Sequence, residues 1–268
     1  MKFLPSPAIF LAASTFVFQV QAQPRPNSDH YRVFYHAHAF NSRRPITGAP
    51  FSAEQVFQAD RLTFHERLFR DTQGRIRNER SMTQSNNGIP LIYIDDPVGG
   101  YHYLVDVVNK VAHRIKYPSP PVTSGTVSIG DLARDSFHND NVNVGIPSRA
   151  NAISESLGLQ TIFDIQARGV KTGYTGGTEK DGTPITITTE AWVSDELKVL
   201  VLSKRIDSRN RESTTRVISF LAGDSDPALF VLPADYALVD EKGSFAIDIL
   251  IPASPADQYE RPPKGRFY

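Results

Sequence analysis

Hydrophobic and polar positions alternate along this chain in short runs, each closed by turn residues. Such runs, rich in β-branched and aromatic side chains, predict β-strands. Tyr31–Ala39 reads as a first strand. Leu62–Arg70 runs into Asp71-Thr72-Gln73-Gly74 and then Arg75–Met82, a hairpin with glycine where positive φ is wanted. Leu91–Asp95, Asp96-Pro97-Val98-Gly99-Gly100 and Tyr101–Asp106 form a second hairpin. A tight turn at Val108-Asn109-Lys110 leads to Val111–Tyr117. Gln160–Thr172, Ile185–Ser194, Lys198–Asp207 and Ser213–Leu221 continue the rhythm. Gly173, Gly176, Gly177 and Gly182 predict a long loop before Ile185.

Strands recur at roughly ten-residue spacing without a helical period between them, which favours an antiparallel meander over βαβ units. Two short helices are expected. Ser52–Ala59 opens on a capping Ser52 with Gln55 three residues on, and Ala150–Leu157 is the second. The polar stretch from Pro118 to about residue 150 reads as an insertion between two halves of the sheet. The division expected is therefore a leader at 1–22, an arm at 23–50, an antiparallel β domain at 51–240 with an insertion at about 118–150, and a tail at 241–268. In that tail Phe245–Ile251 is one apolar run.

The leader follows from Lys2, an apolar run Ala8–Val20 too short to span a bilayer, and the small-residue site Val20-Gln21-Ala22. Cleavage there starts the mature chain at Gln23 and implies export, to a periplasm or beyond. No later stretch is long and apolar enough to span a membrane as a helix. The sequence has no cysteine, which excludes disulfides, thiol nucleophiles and a lipid-modified cysteine. With 29 basic and 29 acidic residues its formal charge is zero. Bulk charge therefore gives no support to nucleic-acid binding.

Candidate chemistry is sparse. His36 and His38 share one strand face and, with Asp29 or His30 nearby, are the candidates for a metal; no clearly spaced third ligand accompanies them. His65 and Glu66 fall on opposite faces of a strand and make a poor acid–base pair. Asp135, His138 and Asp140 lack the Gly-x-Ser-x-Gly elbow of a hydrolase. Gly173–Gly177 lacks the Lys-Ser/Thr of a phosphate loop. No catalytic residue and no cofactor are assigned. Arg61, Arg67, Arg70, Arg75, Arg77 and Arg80 crowd one hairpin with Glu66, Asp71 and Glu79. They read as cross-strand charge pairs on a solvated face, with an anion-binding patch as the alternative.

The segment Asp226–Tyr236 is the most distinctive. Asp226 suits an N-cap and Pro227 a first helical position, while Pro233 cannot sit inside a sheet. A turn there would bury Phe230 as a plug and half-bury Tyr236. Together with Leu91–Asp95…Tyr101–Asp106, with Trp192-Val193-Ser194 followed by Leu197–Ser203, and with Arg70–Glu79, this segment resembles the lipoprotein-carrier (LolA/LolB-like) superfamily and its uncharacterised secreted bacterial relatives. The resemblance implies a mainly β fold, an incomplete barrel whose curled antiparallel sheet wraps an apolar cavity. Asp226, Phe230, Pro233, Tyr236 and Trp192 are then structural residues. It implies a non-enzymatic exported protein binding a lipid-like ligand or an envelope partner protein. The charges on the strand faces weigh against a continuous apolar cavity. An envelope interaction module without enclosed ligand is the alternative, and a metal-dependent hydrolase built on His36 and His38 is a third.

Overall fold

The computed structural model describes residues 23–25, 28–35, 45–59, 62–81, 90–117 and 153–252. Fifteen strands are seen among them. They are β1 (Gln23–Arg25), β2 (Ser28–Tyr35), β3 (Phe51–Ala59), β4 (Leu62–Arg70), β5 (Ile76–Ser81), β6 (Pro90–Asp96), β7 (Tyr101–Asp106) and β8 (Val111–Lys116). The second half supplies β9 (Ile153–Ile162), β10 (Ile165–Thr178), β11 (Pro184–Ser194), β12 (Val199–Asp207), β13 (Glu212–Ala222), β14 (Ala237–Asp240) and β15 (Phe245–Pro252). Twelve of them make one sheet in the order β14-β8-β7-β6-β5-β4-β3-β13-β12-β11-β10-β9, and β1-β2-β15 make a small second sheet. The large sheet is open and curled, not closed into a barrel, and the fold is mainly β.

The order has a simple logic. β3 to β8 form one meander and β9 to β13 another, and the two join where β3 pairs with β13. Aspartate sets most of the turns. Asp71 accepts hydrogen bonds from the Gln73 and Arg75 amides, Asp96 from Val98 and Gly99, Asp106 from Val108 and Asn109, and Asp207 from Arg209 and Arg211. Each carboxylate closes an Asx turn and so fixes hairpin register. Gly74 sits at φ 83°, and a Cβ there would lie 2.9 Å from Pro45 Cβ. Gly169 is required for a different reason: a Cβ would meet the Trp192 ring at 2.7 Å.

The structure corrects several expectations. Ser52–Ala59 is no helix but part of β3; the buried alternating positions Phe51, Ala53 and Gln55 read a strand pattern that overrides the Ser52 cap. Ala150–Leu157 is likewise not helical where it is described, since Ile153–Leu157 opens β9. Among the described residues the helical element is a single 3-10 turn, Pro227–Phe230. The glycines from Gly173 to Gly177 do not make a loop either. They lie in β10, with a register shift between Thr175 and Gly177, and the chain turns only at Glu179–Thr183.

Three apolar clusters organise the packing. Val33, Tyr35, Ile247 and Ile249 of the small sheet cover Leu91, Tyr93 and Leu104 of the large one. Tyr35 stacks on Phe245 at 5.0 Å. A second cluster joins Phe51, Ala53, Leu68 and Val217 to Val199, Val201 and Ala167, with Trp192 against it. The third, Ile92, Ile94, Val105 and Ala112, is covered by Leu232 and Tyr236. Fully buried side chains such as Leu104 and Ile249 contribute about 1.5–3 kcal/mol each.

Arg70 contradicts the solvated-face reading most clearly, because it is fully buried. Its Nε donates to Ala49 O at 2.7 Å, Nη1 to Lys198 O at 2.9 Å and Nη2 to Leu197 O at 3.0 Å. The guanidinium lies 4.6 Å over the Phe51 ring. It thus fastens the end of β4 to the β11–β12 turn, far away in sequence. Arg70→Met is expected to cost about 3–5 kcal/mol, because three carbonyls lose a buried donor. Urea unfolding checks this; an unmoved midpoint would show that the clamp is dispensable.

Candidate functional site

Cross-strand register places three lateral rows on the face covered by the small sheet. One runs Gln55, Glu66, Arg80, Leu91, Asp106, Val111. The next runs Ala53, Leu68, Asn78, Tyr93, Leu104, His113, and the third Phe51, Arg70, Ile76, Asp95, His102, Ile115. Directly paired residues share a face, so polar and apolar side chains alternate across this one.

Most of the polar members are buried, and several bond to one another. Glu66 has no exposed side-chain surface and pairs with Arg80. Its other oxygen accepts from Gln55 Nε2 at 2.6 Å and lies 3.5 Å from Asn78 Nδ2. Burial works against the Arg80 cation, but the Glu66 charge, with Tyr93 and the direct hydrogen bond, outweighs it and raises its pKa. In the third row His102 Nδ1 lies 2.6 Å from Asp95 Oδ1, the Tyr117 hydroxyl donates to the same oxygen, and His102 stacks on Tyr117 at 4.1 Å. These groups fill the space between the strands with polar contacts rather than with apolar side chains.

The other arginines of the β4–β5 hairpin do pair as expected from the sequence, but with partly buried partners. Arg67 and Arg77 both meet Glu79, whose side chain is 5% exposed, and Arg75 meets Asp71 at 2.5 Å. His65 turns away from Glu66 to Glu54, 3.3 Å away.

The opposite face of β5 to β8 carries the segment Asp226–Tyr236. Asp226 Oδ1 accepts the Ala228 amide at 2.9 Å and caps the turn. Phe230 is buried beneath the Arg75 guanidinium, 5.3 Å away, and Arg77 Nη1 donates to Leu229 O at 2.8 Å. Pro233 and half-buried Tyr236 border a groove of about 190 Å³ with Ile92, Val105 and Leu232. Trp192 sits elsewhere, in the Phe51–Val201 cluster. The five residues singled out from the sequence thus occupy two places.

The chain then adds β14 to the edge of β8 in parallel, Ala237 against Val111 through Asp240 against Arg114. Ala237 N donates to Lys110 O at 2.9 Å and Glu241 N to Arg114 O at 2.8 Å. All four residues of β14 are exposed. Three ion pairs flank it: Lys110–Asp235 at 2.6 Å, Arg114–Asp240 at 2.5 Å and His113–Glu241 at 2.8 Å. Hydrogen bonds from Lys110 and Arg114 hold the Asp235 and Asp240 carboxyls below the usual range and raise both cations. Sequence reading missed this strand; its signal was the acidic flank Asp235…Asp240-Glu241 around Leu238 and Val239.

Among the described residues no group of three His, Asp or Glu side chains is placed to hold a metal. His36, His38, Asp135, His138, Asp140 and the leader lie outside the described residues. No helix among those described is long and apolar enough to cross a membrane.

No family model matches this chain, and no curated protein does. Solved structures do. A MucB structure in complex with MucA(peri) matches 71% of this chain at 10% identity and TM-score 0.42, and the match spans only 56% of that MucB chain. LprF from Mycobacterium bovis matches 71% of this chain and 91% of its own at 10% identity and TM-score 0.30. A LolA superfamily protein from Nitrosomonas europaea gives 70%, 92%, 10% and 0.27 in the same order. These are what the chain is similar to; its open, curled sheet is read from its own strand order.

Two outcomes are expected from this geometry. Phe230→Ala should lower stability by about 3–5 kcal/mol, the usual range for a buried aromatic, and an unchanged denaturation midpoint would refute its anchoring role. The β14 ion pairs should respond to acid. The folded pKa values of Asp235 and Asp240 lie below 3.8, so their contribution is present above that value and lost as pH falls through the lowered ones. Protection of the Ala237–Asp240 amides from hydrogen exchange should therefore drop below about pH 4 and fall with added salt.

Proposed function

We propose that this chain is an exported, non-catalytic binding module whose ligand is a partner polypeptide of the cell envelope. One observation carries the reading. The covered face of the sheet is filled by buried Gln55, Glu66 and Asn78, bonded to one another and to the partly exposed Arg80. An acyl chain laid along that face would strip these groups of their partners, and each orphaned buried group costs about 1–3 kcal/mol. A polypeptide bound outside the filled core meets no such penalty. Export rests on the leader at 1–22, with the arm at 23–50 and the domain at 51–240 following it.

Native mass spectrometry of the mature protein purified from its own host tests this. The expected spectrum shows the protein free of lipid, and a polypeptide adduct after incubation with host envelope extract. A stoichiometric lipid adduct would establish the lipid-carrier reading instead.

A further inference from the structure

The edge of β8 is a built docking place for an extended strand, and the chain's own β14 shows what fits it. β14 lies at the surface: Leu238 and Val239 keep 46% and 38% of their area exposed and neither enters a buried core. What holds it is a parallel ladder along β8 and three flanking ion pairs. Exposed ion pairs contribute little individually and are screened by salt. A strand held this way exchanges more readily than one packed on a core.

The β8 edge has a definite chemistry. Lys110 precedes the strand, His113 and Arg114 lie within it, and all three meet carboxylates of the seated segment. Lys116 adds a further exposed cation. Beside them the groove lined by Ile92, Val105 and Leu232 seats an aromatic ring, Tyr236. The occupant is therefore specified in order: a carboxylate, an adjacent aromatic, an exposed apolar pair, then two carboxylates. In the chain itself these are Asp235, Tyr236, Leu238, Val239, Asp240 and Glu241.

We propose that β8 is the partner-binding edge, and that an acidic extended segment of another polypeptide pairs with it in parallel by displacing β14. This rests on the binding role proposed above and names its surface. Strand addition of this kind draws affinity from backbone hydrogen bonds and specificity from side chains. While β14 is seated, the site is closed to other chains and the sheet edge is protected from unspecific pairing. The apparent affinity for a partner is then reduced by the fraction of time β14 is seated.

The test uses the mature protein and a fluorescein-labelled synthetic peptide of residues 233–242. The ladder alternation set by Ala237 N and Glu241 N places the Val239 amide in the same bonded row, so Val239→Pro removes a rung and releases β14. Anisotropy should show the peptide binding this variant at least about tenfold more tightly than wild type, an effect falling with salt. A control peptide with Asp235→Asn, Asp240→Asn and Glu241→Gln should bind at least about tenfold more weakly. Equal binding to both proteins, or equal binding of both peptides, overturns the proposal. Should Val239→Pro fail to fold, hydrogen exchange on the wild type decides. Excess peptide should speed exchange at Ala237–Asp240 while Val111–Arg114 stay protected, and unchanged β14 exchange overturns the proposal. A wild-type dimer that exchanges β14 between copies also overturns it, by making the occupant a second copy. An envelope polypeptide that binds wild type and is unaffected by Lys110→Glu with Arg114→Glu overturns the β8 edge and leaves the binding role standing.

Discussion

The architecture hangs on a guanidinium that water does not reach. Arg70 ends β4, yet its three nitrogens are spent on carbonyls of Ala49, Leu197 and Lys198. The last two belong to the turn between β11 and β12, so one side chain holds the tip of the second meander over the start of the first. An open sheet of twelve strands has no closure to fix its curl. Here the curl is fixed by a rigid fork whose five donors have a set geometry and cannot be deprotonated. Phe51 beneath the guanidinium and Val199 and Val201 beyond it complete the joint. Replacing the fork by a lysine would keep a charge and lose the three-way reach.

From this joint the rest of the covered face follows. Curling packs Phe51, Ala53 and Leu68 of β3 and β4 on Val199, Val201 and Ala167 of the second meander, and neighbouring side chains on that face are dehydrated whether they are polar or not. The sequence places Gln55, Glu66, Asn78 and Arg80 there, and they survive burial only as a bonded set. A carboxylate paired with arginine and two amides is a specification of register as much as a source of stability. A one-residue slip of β4 would replace Glu66 by Arg67 in the interior and orphan Arg80. This face is therefore a scaffold.

Much of this was legible before the structure. The hairpins at Asp71–Gly74, Asp96–Gly100 and Val108–Lys110 were readable because aspartate and glycine at strand ends have only a few uses. The capped turn at Asp226–Phe230 was readable for the same reason. The burial of Arg70 and Glu66 was not read, although strand parity carries the signal: Glu66, Leu68 and Arg70 lie on one face of β4 and Leu68 is plainly core. Charge suggested solvent, and parity was the better guide. Ser52–Ala59 failed in the other direction. A local cap pattern pointed to helix, whereas Phe51, Ala53 and Gln55 meet β4 and β13 on both sides, and long-range pairing decides the outcome. β14 was missed because its local signal, an acidic flank around Leu238 and Val239, does not by itself mark a strand. Only the neighbouring β8, remote in sequence, makes them one.

That last point bears on how such a sheet can bind at all. A permanently open β8 edge would invite pairing with any exposed strand. A permanently sealed edge would bind nothing. The segment that covers the edge matches it in backbone and charge but sends no side chain into a core. Its neighbours divide the labour. Phe230 and the Arg77–Leu229 bond anchor the segment firmly upstream, and β15 anchors it downstream through the small sheet. Between two fixed points, β14 can leave β8 without unfolding anything that the Arg70 joint or the Glu66 network supports. The weak element is thus placed where its loss is local, which is the condition for a strand to act as a removable cover.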